Sequence, residues 1–183
     1  MKNFFLIVAA LVFVSSTALA GIYEISATYN YKKTNYDTVT YEESESGTAS
    51  LAYYFWGLSG LEISFTRGAS VLAQPQYFVY QDLTGYGLSL LFTIANTGSS
   101  LKPYVKGGVA YIIKSIRYIW NGSNPLPAKG VEGIAPSVGL GFKIAIGPQF
   151  EIKAGIDAST SPLNSSSSIT YDFGLNAGLG FLF

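Results

Sequence analysis

From residue 22 onward, apolar side chains alternate with small or polar ones at a period of two, the pattern of strands with one greasy face. The last fifteen residues show it most plainly. Ile169, Tyr171, Phe173, Leu175, Ala177, Leu179, Phe181 and Phe183 share one face, and Thr170, Asp172, Gly174, Asn176, Gly178 and Gly180 share the other. Only Leu182 breaks the order.

Seven earlier runs repeat the pattern, over residues 22–31, 47–56, 61–66, 85–94, 103–116, 133–146 and 150–158. Within them Tyr23, Ile25, Ala27, Tyr29 and Tyr31 oppose Glu24, Ser26, Thr28 and Asn30, and Tyr86, Leu88, Leu90 and Phe92 oppose Gly85, Gly87, Ser89 and Leu91. The third run is the shortest. In the fifth the alternation loses definition after Lys114, where a bulge is expected. The spacing therefore predicts eight strands, an even number.

The connections alternate in kind. Residues 57–59, 96–101 and 147–148 are short and rich in turn formers, whereas 32–46, 68–81, 119–130 and 159–168 are longer and polar. An up-and-down order gathers the four long connections at one end and the short turns, with both chain ends, at the other.

The N-terminus sets the compartment. Lys2, an apolar run over residues 4–14 and the small-x-small triplet Ala18-Leu19-Ala20 read as a secretory signal cleaved after Ala20. Eleven apolar residues are too few for a spanning helix, which needs about 20. The mature domain is then residues 21–183. Cysteine is absent, so no disulfide framework is available. Without Lys2, ten basic side chains face eleven acidic ones, leaving no basic field for nucleic acid. Charged residues make up only 12% of the chain and aromatic ones 15%, against about 25% charged in average soluble domains.

Soluble barrels of the lipocalin type also have eight strands, and a periplasmic binding barrel is the competing architecture. The face opposite the bulky apolar residues decides between them. It carries glycine, alanine and serine among its charges, which suits a narrow crowded lumen better than a solvated exterior. The fold class expected is all-β, an eight-stranded antiparallel up-and-down transmembrane β-barrel in the cell outer membrane.

With signal, runs, loop asymmetry and terminal phenylalanine assembled, residues 21–183 resemble the small outer-membrane barrels of Gram-negative bacteria, the OmpX/Ail and OmpA transmembrane-domain group, with OmpW related. The most specific element is Gly174-Leu-Asn-Ala-Gly-Leu-Gly-Phe-Leu-Phe183; Pro103-Tyr-Val-Lys-Gly-Gly-Val-Ala-Tyr111 is less so. The resemblance implies that Leu179, Phe181 and Phe183 are read by the barrel-assembly machinery. It also implies contact with outer-membrane lipid and lipopolysaccharide, and a role in surface interaction or envelope integrity. No peptidoglycan-binding domain is expected after Phe183, a departure from full-length OmpA.

Candidate chemistry is limited. Without histidine or cysteine, the usual nucleophile–base pairs and the common zinc and haem ligand sets are missing, so neither an enzyme nor a cofactor is expected. The inward charges are the sharper feature: Glu24, Glu62, Lys106, Lys143, Glu151, Lys153, Asp157 and Asp172. Charges in a low-dielectric lumen must pair, which predicts an ionic network closing a side-chain-filled barrel. The alternative is an OmpW-like conduit for small, apolar solutes. Among the long connections, Glu42, Glu43, Glu45 and Asp37, set against Lys32 and Lys33, read as a solvated tip, with divalent-cation bridging to lipopolysaccharide phosphates as the functional alternative. Tyr77, Phe78 and Tyr80 in the second, and Trp120 in the third, read as an aromatic girdle or a contact surface for a ligand.

Overall fold

The computed structural model describes residues 22–35, 39–56, 58–95, 98–120, 129–160 and 171–183. The proposed signal, Asp37, residues 121–128 and 161–170, and the Asp172 side chain lie outside the described residues. Eight strands follow in chain order: β1 (Ile22–Asn35), β2 (Tyr41–Trp56), β3 (Ser59–Ala73), β4 (Tyr77–Thr93), β5 (Leu101–Trp120), β6 (Lys129–Ala145), β7 (Phe150–Thr160) and β8 (Tyr171–Leu182). Each pairs antiparallel with its chain neighbours, and β8 returns to β1 to close the barrel.

Closure pairs Glu24 with Leu182 at one end of the seam and Asn30 with Asn176 at the other. At the chain ends Tyr23 and Phe183 exchange both backbone hydrogen bonds, at 3.0 and 2.9 Å. Along its paired rows a closed sheet has no edge, so the backbone polar groups there are satisfied without water. The turn from β6 to β7 holds Gly147 at φ 130°, a conformation that L side chains rarely adopt.

The strands run well past the expected lengths at the end opposite the chain termini, called here the loop end. The third expected run becomes a 15-residue strand, and the second long connection shrinks to residues 74–76. Tyr77, Phe78 and Tyr80 therefore belong to β4, not to a loop, and Trp120 ends β5. Likewise Glu42, Glu43 and Glu45 lie in β2. The bulge expected after Lys114 is absent, since β4 and β5 pair without interruption from Tyr77 with Trp120 to Thr93 with Tyr104. A register shift falls instead between Tyr54 and Trp56. One reason covers the corrections at the loop end. Alternation records which face meets an apolar medium, and above the apolar band lipid no longer sets one face apart, so Val71-Leu72-Ala73 and Tyr77-Phe78-Val79-Tyr80 lose the alternation while the ladder continues.

Odd-numbered residues of β5 show the band. Leu101, Pro103, Val105, Gly107, Val109, Tyr111 and Ile113 point outward, followed by Ser115 and Arg117. Twelve steps of about 3.4 Å tilted near 45° give a height of about 29 Å, the thickness of a bilayer's hydrocarbon core. Leu88, Val138, Leu140, Phe142, Leu175 and Leu179 continue it around the wall, all between 47% and 67% exposed. In water such a surface would be far beyond the few hundred Å² of a typical monomer patch.

Candidate functional site

Aromatic rings edge the band at both rims. Near the chain ends, Phe55, Tyr53, Tyr23, Phe183, Phe181 and Phe150 form a chain with ring centroids 5.0 to 6.3 Å apart, running from β2 across the seam to β7. Two of the three proposed assembly residues, Phe181 and Phe183, are members. Leu179 points outward above them and is 65% exposed. At the loop end Tyr29, Phe65, Tyr86 and Tyr111 occupy the corresponding height, with Phe65 and Tyr86 5.4 Å apart. Charges begin immediately above. Tyr29 donates to Glu45 at 2.9 Å, Tyr31 donates to Glu43 at 3.0 Å, and Arg117 meets Asp82 at 3.0 Å. The bond to Glu43 holds the exposed Tyr31 hydroxyl's pKa above the ordinary tyrosine value.

Inside, the half of the lumen nearer the chain ends is sealed. Glu24 on β1 is fully buried and takes two lysines: Lys143 of β6 at 2.7 Å, and Lys153 of β7 on its other oxygen. The Tyr54 hydroxyl donates to Glu24 and accepts from Lys143. Lys143 also lies 4.8 Å from the Tyr54 ring centroid and 5.7 Å from that of Tyr104. Lys153 donates to Ser26 Oγ at 2.8 Å, and Glu151 is paired with Lys102. Beneath the charges Leu182 packs against Ala52, Tyr54, Leu58, Leu91 and Tyr104. Leu182 breaks the alternation because it points inward and floors the barrel.

One layer higher, Lys106 sits 3.2 Å from Asp157 and 3.9 Å from Glu62. Asn176 donates to Asp157 at 2.9 Å, and Ser50 to Glu62 at 3.3 Å. Glycine makes room for this layer. A Cβ at Gly139 would lie 2.2 Å from Asp157 Oδ1 and 2.7 Å from Lys106 Cε. The structure thus brings together seven of the eight inward charges read from the sequence, with the side chain of the eighth, Asp172, undescribed.

Sequence reasoning missed Lys102, Tyr54 and Tyr104 as members of the network. Lys102 shares the inward parity of Tyr104 and Lys106, but Pro103 made a strand start look natural there. Among the described residues of these two layers, Lys102 brings the lysines to four (102, 106, 143, 153) for four carboxylates (24, 62, 151, 157).

The expected filled lumen is corrected above this layer. A cavity of about 320 Å³ runs from Lys106, Glu62 and Asp157 toward the loop end. Serine and threonine recur along its walls, among them Ser44, Ser46, Thr48, Ser64 and Thr66, beside charged side chains and glycines. Inward glycines such as Gly85 and Gly87 leave it open, because small side chains cannot fill the section of eight strands. Among the described residues no cluster of histidine, cysteine or carboxylates is arranged to hold a metal ion.

No protein-family model matches the chain, and no curated protein matches it in sequence. Solved structures do match its shape. Neisserial surface protein A (NspA) superposes with a TM-score of 0.65 at 18% identity, covering 88% of this chain and 97% of that one. The N-terminal β-barrel domain of Pseudomonas aeruginosa OprF gives 0.57 at 20% identity, with 88% and 97% covered. Ail, the attachment invasion locus protein of Yersinia pestis, gives 0.53 at 16% identity, with 89% and 97% covered. At these identities the likeness is one of fold: the chain has the fold of the small eight-stranded outer-membrane β-barrels.

Proposed function

We propose that this protein is an integral outer-membrane barrel without enzymatic activity, which spans the membrane with its chain-end half sealed and presents its loop-end strand tips at the cell surface. The observation that carries this reading is the outward apolar band, about a bilayer core in height and edged by aromatic rings at both rims. Residues 1–20 direct export, and the β8 strand ending on Phe183 directs insertion by the assembly machinery. Outer-leaflet lipid and lipopolysaccharide contact the charges above the loop-end girdle. Tyr77, Phe78, Tyr80 and Trp120, at the tips of β4 and β5, are the candidate contact surface for a ligand, in service of surface interaction or envelope integrity.

The absence of cysteine allows a clean test. Val39, 57% exposed between β1 and β2, is replaced by cysteine and intact cells are treated with a membrane-impermeant maleimide. Labelling on intact cells, with the protein recovered in the outer-membrane fraction, is the expected result. Recovery in the periplasm without detergent would instead identify a soluble binding barrel. The polar cavity favours the conduit as a second reading, and the two closed layers beneath it oppose that reading.

A further inference from the structure

The β1–β8 seam is paired over only part of its length. Seven rows join the strands, whereas β1 and β2 share fourteen. Both strands continue past the last row, Asn30 with Asn176. Residues 31–35 of β1 stay paired with β2, and residues 171–175 of β8 stay paired with β7, but not with each other. The outward side chains of β1 lean the same way: Tyr31 bonds Glu43, and Lys33 lies 3.9 Å from Glu43 and over the Tyr41 ring, all toward β2.

The ladder identifies what is left facing the split. Tyr23 and Phe183 exchange both hydrogen bonds, and in an antiparallel pair every second row does so. The pairs next in that series above Tyr29 and Ala177 are Tyr31 with Leu175 and Lys33 with Phe173. Their backbone groups have no partner strand across the seam. Leu175 and Phe173 are 67% and 60% exposed on the outward face, so the split lies beside the upper edge of the apolar band. Unpaired backbone there costs several kcal/mol per group in hydrocarbon unless a polar group occupies the gap. The cavity reaches this place: Asn30 and Lys32 line it together with the outward-facing Tyr31 and Phe173.

We propose that the parted upper rows form a side opening from the outer leaflet into the polar cavity, and that it admits the head of a single-chain amphiphile whose chain remains in lipid. The inference rests on the membrane-barrel reading. Three fully described rows of about 3.3 Å make a slot about 10 Å long, enough for one head and chain. The cavity walls carry Lys32, Lys106 and Lys114 against Glu42, Glu45, Glu62 and Asp157, charges of both signs that fit a zwitterionic head.

The test replaces Ser44, in the cavity wall, by a genetically encoded fluorescent residue that nitroxides quench, in barrels reconstituted into phosphatidylcholine vesicles, so that thiol reagents meet no cysteine except those added at the seam. One quencher is a single-chain phosphocholine amphiphile carrying a nitroxide on its head; the other is the same head without a chain. Quenching by the amphiphile is expected, together with its loss when Tyr31→Cys and Leu175→Cys are tied by a bismaleimide, while the chainless head still quenches from the mouth. Undiminished quenching by the amphiphile after the tie, or none before it, would overturn the proposal. Amide exchange in the unmodified barrel gives a second measurement. Tyr31, Lys33, Phe173 and Leu175 are expected to exchange faster than Ala27, Tyr29, Ala177 and Leu179, and equal protection would show the seam to be closed. Heat-modifiable migration of the same preparations reports the barrel separately, so a folded barrel with a protected seam refutes only the opening.

Discussion

Glu24 on the first strand and Lys143 on the sixth meet at 2.7 Å across the lumen, bypassing the last strand, which lies between β7 and β1 in the wall. Lys153 does the same from β7. This is possible because β8 faces inward with glycine at this level: a Cβ at Gly180 would stand 2.7 Å from Glu24 Oε1 and 3.4 Å from Lys153 Cε. The seam that closes the barrel is thus held from inside by charges on its two flanks.

Breaking that clasp from one side leaves a charge buried without its partner. Glu24→Gln or Lys143→Met is expected to cost about 3–5 kcal/mol in vesicle-reconstituted protein. The paired replacement Glu24→Gln with Lys143→Met should cost less than the two single changes summed. Urea unfolding followed by tryptophan fluorescence gives all the corners of the cycle, and strict additivity would show the contact to be incidental.

Gly180→Ala is expected to destabilise by about 1–3 kcal/mol, because the carboxylate it meets is pinned by two lysines and cannot retreat. Gly107→Ala serves as the control. Nothing lies within 4 Å of a Cβ there, on the lipid-facing side, and its unfolding midpoint should stay close to that of the parent.

Much of this arrangement was legible in the chain. Inside the apolar band, alternation assigned Glu24, Lys143 and Lys153 to the interior and paired β8 with β1. Where both faces are wet, the same pattern had nothing to record, so Tyr77, Phe78 and Tyr80 read as loop although their backbone continues β4. Lys102 was hidden by its proline neighbour, and the cavity by the fact that periodicity reports which face a side chain takes, not how much of the lumen it fills. Gly180 read only as small; its purpose appears once Lys153 and Glu24 are seen to meet over it.

Two layers, Lys106 with Asp157 and Glu62, then Glu24 with its lysines over Leu182, stand between the cavity and the chain-end rim. Planar bilayers containing the protein are expected to show no stepwise conductance. Lys106→Ala opens only the upper layer and should remain silent. Discrete current steps that change in Lys106→Ala would make the conduit the better description.

The terminal ring completes the chain-end girdle, with Phe183 5.8 Å from Tyr23 and 6.2 Å from Phe181. Removing Phe183 is expected to lower the folded, membrane-inserted fraction several-fold while export across the inner membrane continues. Pulse-labelling followed by fractionation separates the two steps, and full insertion of the shortened chain would remove Phe183 from the assembly role.

A barrel closed within the outer membrane has a direct electrophoretic signature. Protein extracted from outer membranes in mild detergent should migrate differently before and after boiling, with the unboiled form resistant to denaturant and the boiled form at the position of the unfolded chain. A single mobility under both conditions, or absence of the protein from the outer-membrane fraction, would contradict such a barrel.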